Sequence, residues 1–350
     1  MLRFGIVRRQ GLAHPTTWFG ARKHVSALIL DELAETPESD EAAYDTVVEQ
    51  LPMPNGTWKF TCRGRFASLD RLVLDLLAPR VPRGGRLSVI DLAASTGVTS
   101  VELYRVLRER YQVRFLASDL YRDLYAVRRS GAWVGVFTAM GDDVQHIVWR
   151  FVLPGQLAES WAYPGNRALR AACRRLLTPR ARAVLRRAPL AGLAPFETVR
   201  MDGFEIRRLP LLSGACLALA REHESFLFEV HDVCQPLPER ATVVRAMNIL
   251  TREHFDDSTR ERIVRHCIEA TLPGGLLVLG WSPWQDAANV EASIYGVTGD
   301  GLERLASLNG GSEIDRFVES IVPTRPADPR ESQSRRRQAG GREQCRHDDR

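Results

Sequence analysis

Asp91 closes the apolar run Leu87-Ser88-Val89-Ile90, and five small residues, Ala93, Ala94, Ser95, Thr96 and Gly97, follow before a helical pattern begins. A strand that enters a helix through residues this small lets a ligand phosphate, ribose or amino-acid group approach the backbone. The amides at the helix start favour a carboxylate or phosphate there. A second acid, Asp119, ends the next strand pattern, "VRFLASDL". It lies roughly 20 residues after Gly97, where nucleotide-binding α/β folds set an acid against the ribose hydroxyls. On spacing alone an alternative stays open, in which Asp91 caps a helix and Asp119 merely ends a strand. Only Gly97 stands where a dinucleotide fold wants G-x-G-x-x-G, which counts against NAD or FAD, and the P-loop pattern with its lysine is absent.

These residues need a sheet to position them. "RFASLDRLVLDLLAP" reads as a helix, "RLSVIDLA" as the strand leading to Asp91 and "TSVELYRVLRERY" as the helix after it. "SFLFEVHDV", "ATVVRAMNIL" and "GGLLVLGW" are three more strands, apolar enough to be buried on both faces. Before the last of them a helix opens at Ser258-x-x-Glu261, a capping box, and stops at "LPGG". "EASIYGVTGDGLERLASL" supplies an antiparallel pair around "TGDG". The alternation predicts an α/β, Rossmann-like, doubly wound and mostly parallel sheet with a closing antiparallel strand pair and an inserted lid subdomain.

The set "DLAASTG" plus Asp119 resembles the class I S-adenosylmethionine-dependent methyltransferases, whose first motif is an acid, small residues and a glycine after strand one. Residues 226–282 are similar to the chemotaxis-receptor glutamate methyltransferases (CheR-like), with "PGG" before strand five. The resemblance implies S-adenosyl-L-methionine as cofactor. Asp91, Ala93, Ser95 and Gly97 would then line its methionine part, Asp119 would take the ribose hydroxyls, Asp232 and Val233 would face the adenine, and Asn248 would sit under the sulfonium or the acceptor. It further implies direct in-line displacement at the methyl by an acceptor oxygen, nitrogen or carbon of a small molecule or protein, the chain supplying alignment and excluding water. The chain departs from the pattern in its alanines at 93 and 94, in an arginine two residues early at Arg245, and in "TREHF" where a tyrosine is expected. These departures open a second expectation, a non-catalytic binding protein of the same fold. No catalytic base is assigned; His231 and His254 stand near the expected sheet edge.

Residues 131–224 are too many for a simple crossover and are expected to form the lid or substrate subdomain, with a hairpin turning at "GDD". Its helix "NRALRAACRRLL" puts Leu169, Ala172, Cys173, Leu176 and Leu177 on one face. The eight arginines and no acid from Arg167 to Arg187 offer a surface to nucleic acid or to a membrane, which opens a third expectation, an RNA methyltransferase, or form a solvated face paired with the acids of residues 31–49. Residues 1–54 are expected to be a loosely packed, partly disordered arm, 55–322 the methyltransferase-like domain and 323–350 a disordered basic tail.

The net charge of +5 rests almost wholly on arginine, with lysine only at Lys23 and Lys59, so charge alone selects no partner. Six cysteines without a C-x-x-C pair give neither a zinc spacing nor a disulfide framework, so a reduced, cytoplasmic chain without metal is expected. No apolar stretch reaches the roughly 20 residues of a membrane span.

Overall fold

The computed structural model describes residues 2–14, 23–34, 41–59, 61–129, 133–156, 163–283, 289–299, 301–321 and 324–325. In chain order the elements begin with α1 (Ile29–Ala34), α2 (Glu41–Glu49), α3 (Ala67–Leu77), β1 (Arg86–Leu92), α4 (Val98–Arg108) and β2 (Gln112–Asp119). Next come β3 (Asp123–Arg129), β4 (Trp133–Thr138), β5 (Asp143–Val148), β6 (Phe151–Pro154), α5 (Pro164–Leu176), α6 (Thr178–Leu185), β7 (Thr198–Met201) and β8 (Phe204–Pro210). The chain continues with α7 (Gly214–Glu222), β9 (Phe226–Val230), β10 (Ala241–Met247), α8 (Asp257–Ala270) and β11 (Thr271–Trp281). It ends with β12 (Glu291–Thr298), β13 (Gly301–Leu308), α9 (Asp315–Ile321) and β14 (Thr324–Arg325). Two compact units result, one of residues 1–64, 94–102 and 117–231, the other of residues 65–93, 103–116 and 232–350.

The second unit carries the strand order β14-β13-β12-β11-β10-β1-β2. β1 and β10 pair in parallel, with Asp91 opposite Arg245, and β10 and β11 pair in parallel beside them. β12 runs antiparallel to β11 and β13 antiparallel to β12, the predicted closing pair. This is a Rossmann-like α/β sheet. Its central strands are buried along their length at Val243, Val244 and Leu276 to Leu279, which is why they read as continuous apolar runs rather than alternating ones. Ile263, Val264 and Cys267 of α8 and Phe317 and Val318 of α9 complete that core. The cap of α8 is Asp256, whose carboxylate accepts from the Thr259 amide at 2.8 Å, and not the predicted Ser258, whose hydroxyl donates to Asp256 at 3.0 Å. A carboxylate is the stronger acceptor at the positive end of a helix, and the bond to that amide holds Asp256 below the usual carboxylate range.

The first unit is built on a six-stranded sheet of order β6-β5-β4-β3-β8-β7, antiparallel throughout. It begins at Asp123, eight residues before the predicted insertion at 131. The hairpin of β4 and β5 turns at residues 139–142, as "GDD" suggests. One face packs Trp133, Phe137, Phe204 and Ile206 with Cys173 of α5 and Ala181, Val184 and Leu185 of α6. The other packs Leu124, Val136 and Leu209 with Ile6, Val25, Ile29, Leu30, Val47, Val48 and Met53. The expectation of a loosely packed arm over residues 1–54 is thus corrected for Ile6, Val25, Ile29, Leu30, Val47, Val48 and Met53, which are core, while Leu2 and Phe4 are exposed. Gln145 ties the segment down, accepting from the Ala27 amide at 3.0 Å and donating to the Val25 carbonyl at 2.7 Å. The tail beyond Arg325 lies outside the described residues, and Thr324 begins a strand paired with β13. Among the described residues no helix is long and apolar enough to cross a membrane.

The arginine run is largely spoken for. Arg174 and Arg182 lie 3.0 and 3.6 Å from the two oxygens of Asp143, Arg187 pairs with Asp202, and Arg170 donates to the Pro154 carbonyl at 3.2 Å. The acids of the N-terminal segment take other partners, Arg8 for Glu32 and Arg207 for Asp31. The predicted apolar face of α5 is also narrower than read, since Cys173 is buried while Leu176 is 58% exposed.

Beneath these helices His146 is fully buried, its Nε2 4.0 Å from Asp143. Burial pushes the imidazole down to about 4, against the pull of Asp143 and with help from Arg174, Arg170 and Arg182. In the unfolded chain it takes a proton near pH 6.5, so between pH 6.5 and about 4 only the unfolded state is protonated. Stability therefore holds above pH 6.5 and falls as pH drops, by on the order of 3 kcal/mol from this group. Urea unfolding across that range should show this slope, and His146→Phe should flatten it; equal slopes would refute the assignment.

Candidate functional site

The turn after β1 holds three residues in the left-handed region, Ala93 at φ 54°, Ser95 at 57° and Gly97 at 79°. Two of them carry a Cβ, which costs on the order of 1 kcal/mol or more each. In the first unit this turn is anchored backbone to backbone: the Ala94 amide donates to the Ser118 carbonyl at 2.9 Å, and the Ser213 amide to the Thr96 carbonyl at 2.9 Å. The Ser95 amide points at the end of β2 and donates to Asp119 Oδ2 at 2.9 Å. Two of the predicted residues, Ser95 and Asp119, are thus brought into direct contact. Oδ1 of Asp119 accepts from the Tyr121 amide at 3.0 Å and from Lys59 Nζ at 2.7 Å. Lys59, 4% exposed, also donates to the Ser95 carbonyl at 3.1 Å.

Gly97 answers to protein packing. A Cβ there would lie 2.5 Å from Cys216 Sγ and 3.2 Å from Phe228 Cε2. Burial pushes the Cys216 thiol up to about 12, so it packs as an apolar group and is no nucleophile.

In the second unit Asp91 is 2% exposed and both its oxygens are taken by Arg245, Nε to Oδ1 at 2.8 Å and Nη2 to Oδ2 at 2.6 Å. Arg245, itself 1% exposed, reaches Asp70 Oδ1 with Nη1 at 2.8 Å and lies over the Phe66 ring. Asp91, expected to line a ligand, sits in a buried Asp-Arg-Asp triad. Asn248, at φ 62°, accepts from the Ser282 amide at 2.7 Å and donates its own amide to the Gly280 carbonyl at 2.9 Å, closing the ends of β10 and β11. Ser282 is held in turn by Arg65 through its hydroxyl at 2.6 Å and its carbonyl at 2.7 Å. Asp232 accepts from the Cys234 amide at 2.9 Å in a short turn; Val233 belongs to the apolar core and Ala93 packs against it.

Two residues of this arrangement were not read as such from the sequence: Arg245 stands there only as a departure from the family pattern, and Lys59 only as one of two lysines in an arginine-rich chain. That rarity was the available signal. Among the described residues no group of three His, Cys, Asp or Glu is placed to hold a metal ion.

No family model matches the sequence, and no curated protein matches it. Solved structures do. An O-methyltransferase family protein from Burkholderia thailandensis is 13% identical, with a TM-score of 0.28 over 69% of this chain and 40% of that one. The [4+2]-cyclase SpnF is 16% identical, TM-score 0.25, over 61% and 46%. The N-methyltransferase NodS from Bradyrhizobium japonicum, in complex with S-adenosyl-L-homocysteine, is 10% identical, TM-score 0.28, over 68% and 72%. This chain therefore spans less than half the length of the first two. Likenesses this faint say nothing about activity, and the architecture stands on the strand order alone.

Breaking the triad should be costly. Arg245→Met leaves Asp70 and Asp91 buried without their cation, and should lower unfolding free energy by about 3–5 kcal/mol. Asp70→Asn, which keeps the bidentate Arg245-Asp91 pair, should cost less. Urea midpoints of the two variants test the order, and a neutral Arg245→Met would show that the triad does not hold the strands.

Proposed function

We propose that the chain binds S-adenosyl-L-methionine and transfers its methyl group to a small-molecule or protein acceptor. The observation that supports this most directly is the Ser95 amide on Asp119, which brings the small-residue turn after the first strand to the acid ending the second, the two features a nucleoside site of this fold uses. When bound, the cofactor supplies an electrophilic methyl for in-line attack by the acceptor. The turn at Ala93 to Gly97 presents backbone with little side chain in the way, and Asp119 offers carboxylate oxygen to a ribose hydroxyl. Asp232 and Val233 for the adenine, Asn248 for the acceptor side, and residues 131–224 as the source of acceptor contacts follow from the sequence resemblance. Alignment and exclusion of water are what such a site contributes to the displacement.

The fit is uneven, and this favours a second reading. Asp91 is engaged through both oxygens by Arg245 and Asn248 through its amide oxygen by Ser282, so both already serve the fold at the positions proposed for them. A non-catalytic protein that keeps the fold and binds the nucleoside accommodates these facts. An RNA acceptor gains little, because Arg170, Arg174, Arg182 and Arg187 have partners within the protein.

Calorimetric titration with S-adenosylmethionine and S-adenosylhomocysteine is expected to give binding that Asp119→Ala weakens by about tenfold or more, equivalent to 1.4 kcal/mol. Absence of binding of either compound at millimolar concentration, both by the folded wild type and by folded Lys59→Met, rules the proposal out. Binding without methyl transfer to any acceptor tried selects the second reading.

A further inference from the structure

We infer that Lys59 is an internal competitor for the ribose position of Asp119, so that a nucleoside binds only when the Lys59-Asp119 pair opens. The inference rests on the nucleoside reading above. A carboxylate has about four lone-pair positions. Asp119 already fills three of them, Oδ1 with Lys59 Nζ and the Tyr121 amide, Oδ2 with the Ser95 amide. The two amides belong to the fold and cannot leave without remaking the turns at Ser95 and Tyr121. Only the lysine is on a flexible stem. A ribose diol needs two acceptor positions on the acid, and one is left, so the ligand must displace the ammonium to gain the second.

Lys59 is well placed for this. It follows a short stretch of bends and turns, with an isolated bridge joining Pro52 and Trp58, and no regular strand or helix contains it. Its ammonium has three donors and two partners, Asp119 and the Ser95 carbonyl, both at the turn where the ligand is proposed to sit. With Lys59 4% and Asp119 14% exposed, the pair is little screened by solvent, and the need to open it lowers the apparent affinity in proportion to the fraction of molecules that are open.

Two measurements test this. Calorimetry with S-adenosylhomocysteine should find Lys59→Met binding about tenfold or more tightly than the wild type. 2′,3′-Dideoxyadenosine, which has no diol to compete for Oδ1, should show no such gain. Because Lys23 and Lys59 are the only lysines, wild-type protein carrying lysine labelled with carbon-13 at Cε gives two signals. The Lys59 signal should move in step with ligand occupancy while the Lys23 signal stays, a readout that needs no variant to fold. Ligand binding with an unmoved Lys59 signal, or equal or weaker binding by folded Lys59→Met, overturns the competition and leaves the nucleoside reading standing. Absence of binding in the wild type together with binding in Lys59→Met supports it. No binding in either folded protein removes the nucleoside reading and this inference with it.

Discussion

The second unit depends on one guanidinium. Arg245 has almost no contact with water and answers to two carboxylates, Asp91 on the neighbouring strand and Asp70 on the first helix of that unit. Asp91 and Arg245 are directly opposed in the parallel ladder of β1 and β10. A slip of one residue would put the two charges on opposite faces of the sheet and leave each without its partner. Apolar strands such as "SVIDLA" and "TVVRAM" would tolerate several registers on hydrophobic grounds alone. The ion pair selects one, and with it the height at which the turn after β1 begins. Such a triad is a poor source of net stability, because desolvation offsets much of the attraction. Its use here is specification.

The two acids that looked alike in the sequence, each ending a strand, have opposite surroundings. Asp91 is locked by a rigid, bidentate fork; Asp119 is held by two backbone amides and by a lysine ammonium. Arginine and lysine are not equivalent partners in this respect, since the planar fork fixes geometry and the ammonium is a movable point charge. The turn after β1 carries strain in the left-handed conformations of Ala93 and Ser95, and in that conformation the Ser95 amide donates to Asp119.

Local patterns were legible and long-range partners were not. The strands from β1 to β13 in the sheet of the second unit follow apolar runs bounded by turn residues, and the closing pair announced itself at its Gly-rich turn. The N-terminal segment misled because its acids, eight between residues 31 and 50, conceal apolar positions such as Leu30, Leu33, Val47 and Val48. Their counterparts lie on strands between Asp123 and Pro210, too distant for any windowed pattern to detect. The same distance hid Lys59 from Asp119. At α8 the error was smaller: Ser258 and Asp256 both have the chemistry of a cap, and only the geometry chooses between them.

The packing of residues 1–54 against a sheet that starts at Asp123 bears on how the protein is made. A ribosome adding about 5–20 residues per second needs on the order of ten seconds to deliver the strands that these residues cover. Through that interval Ile29, Leu30, Val47 and Val48 have no sheet to bury against. The apolar side chains that end as core begin as the longest-waiting part of the nascent chain, and the acids interspersed among them keep that waiting segment from associating with itself.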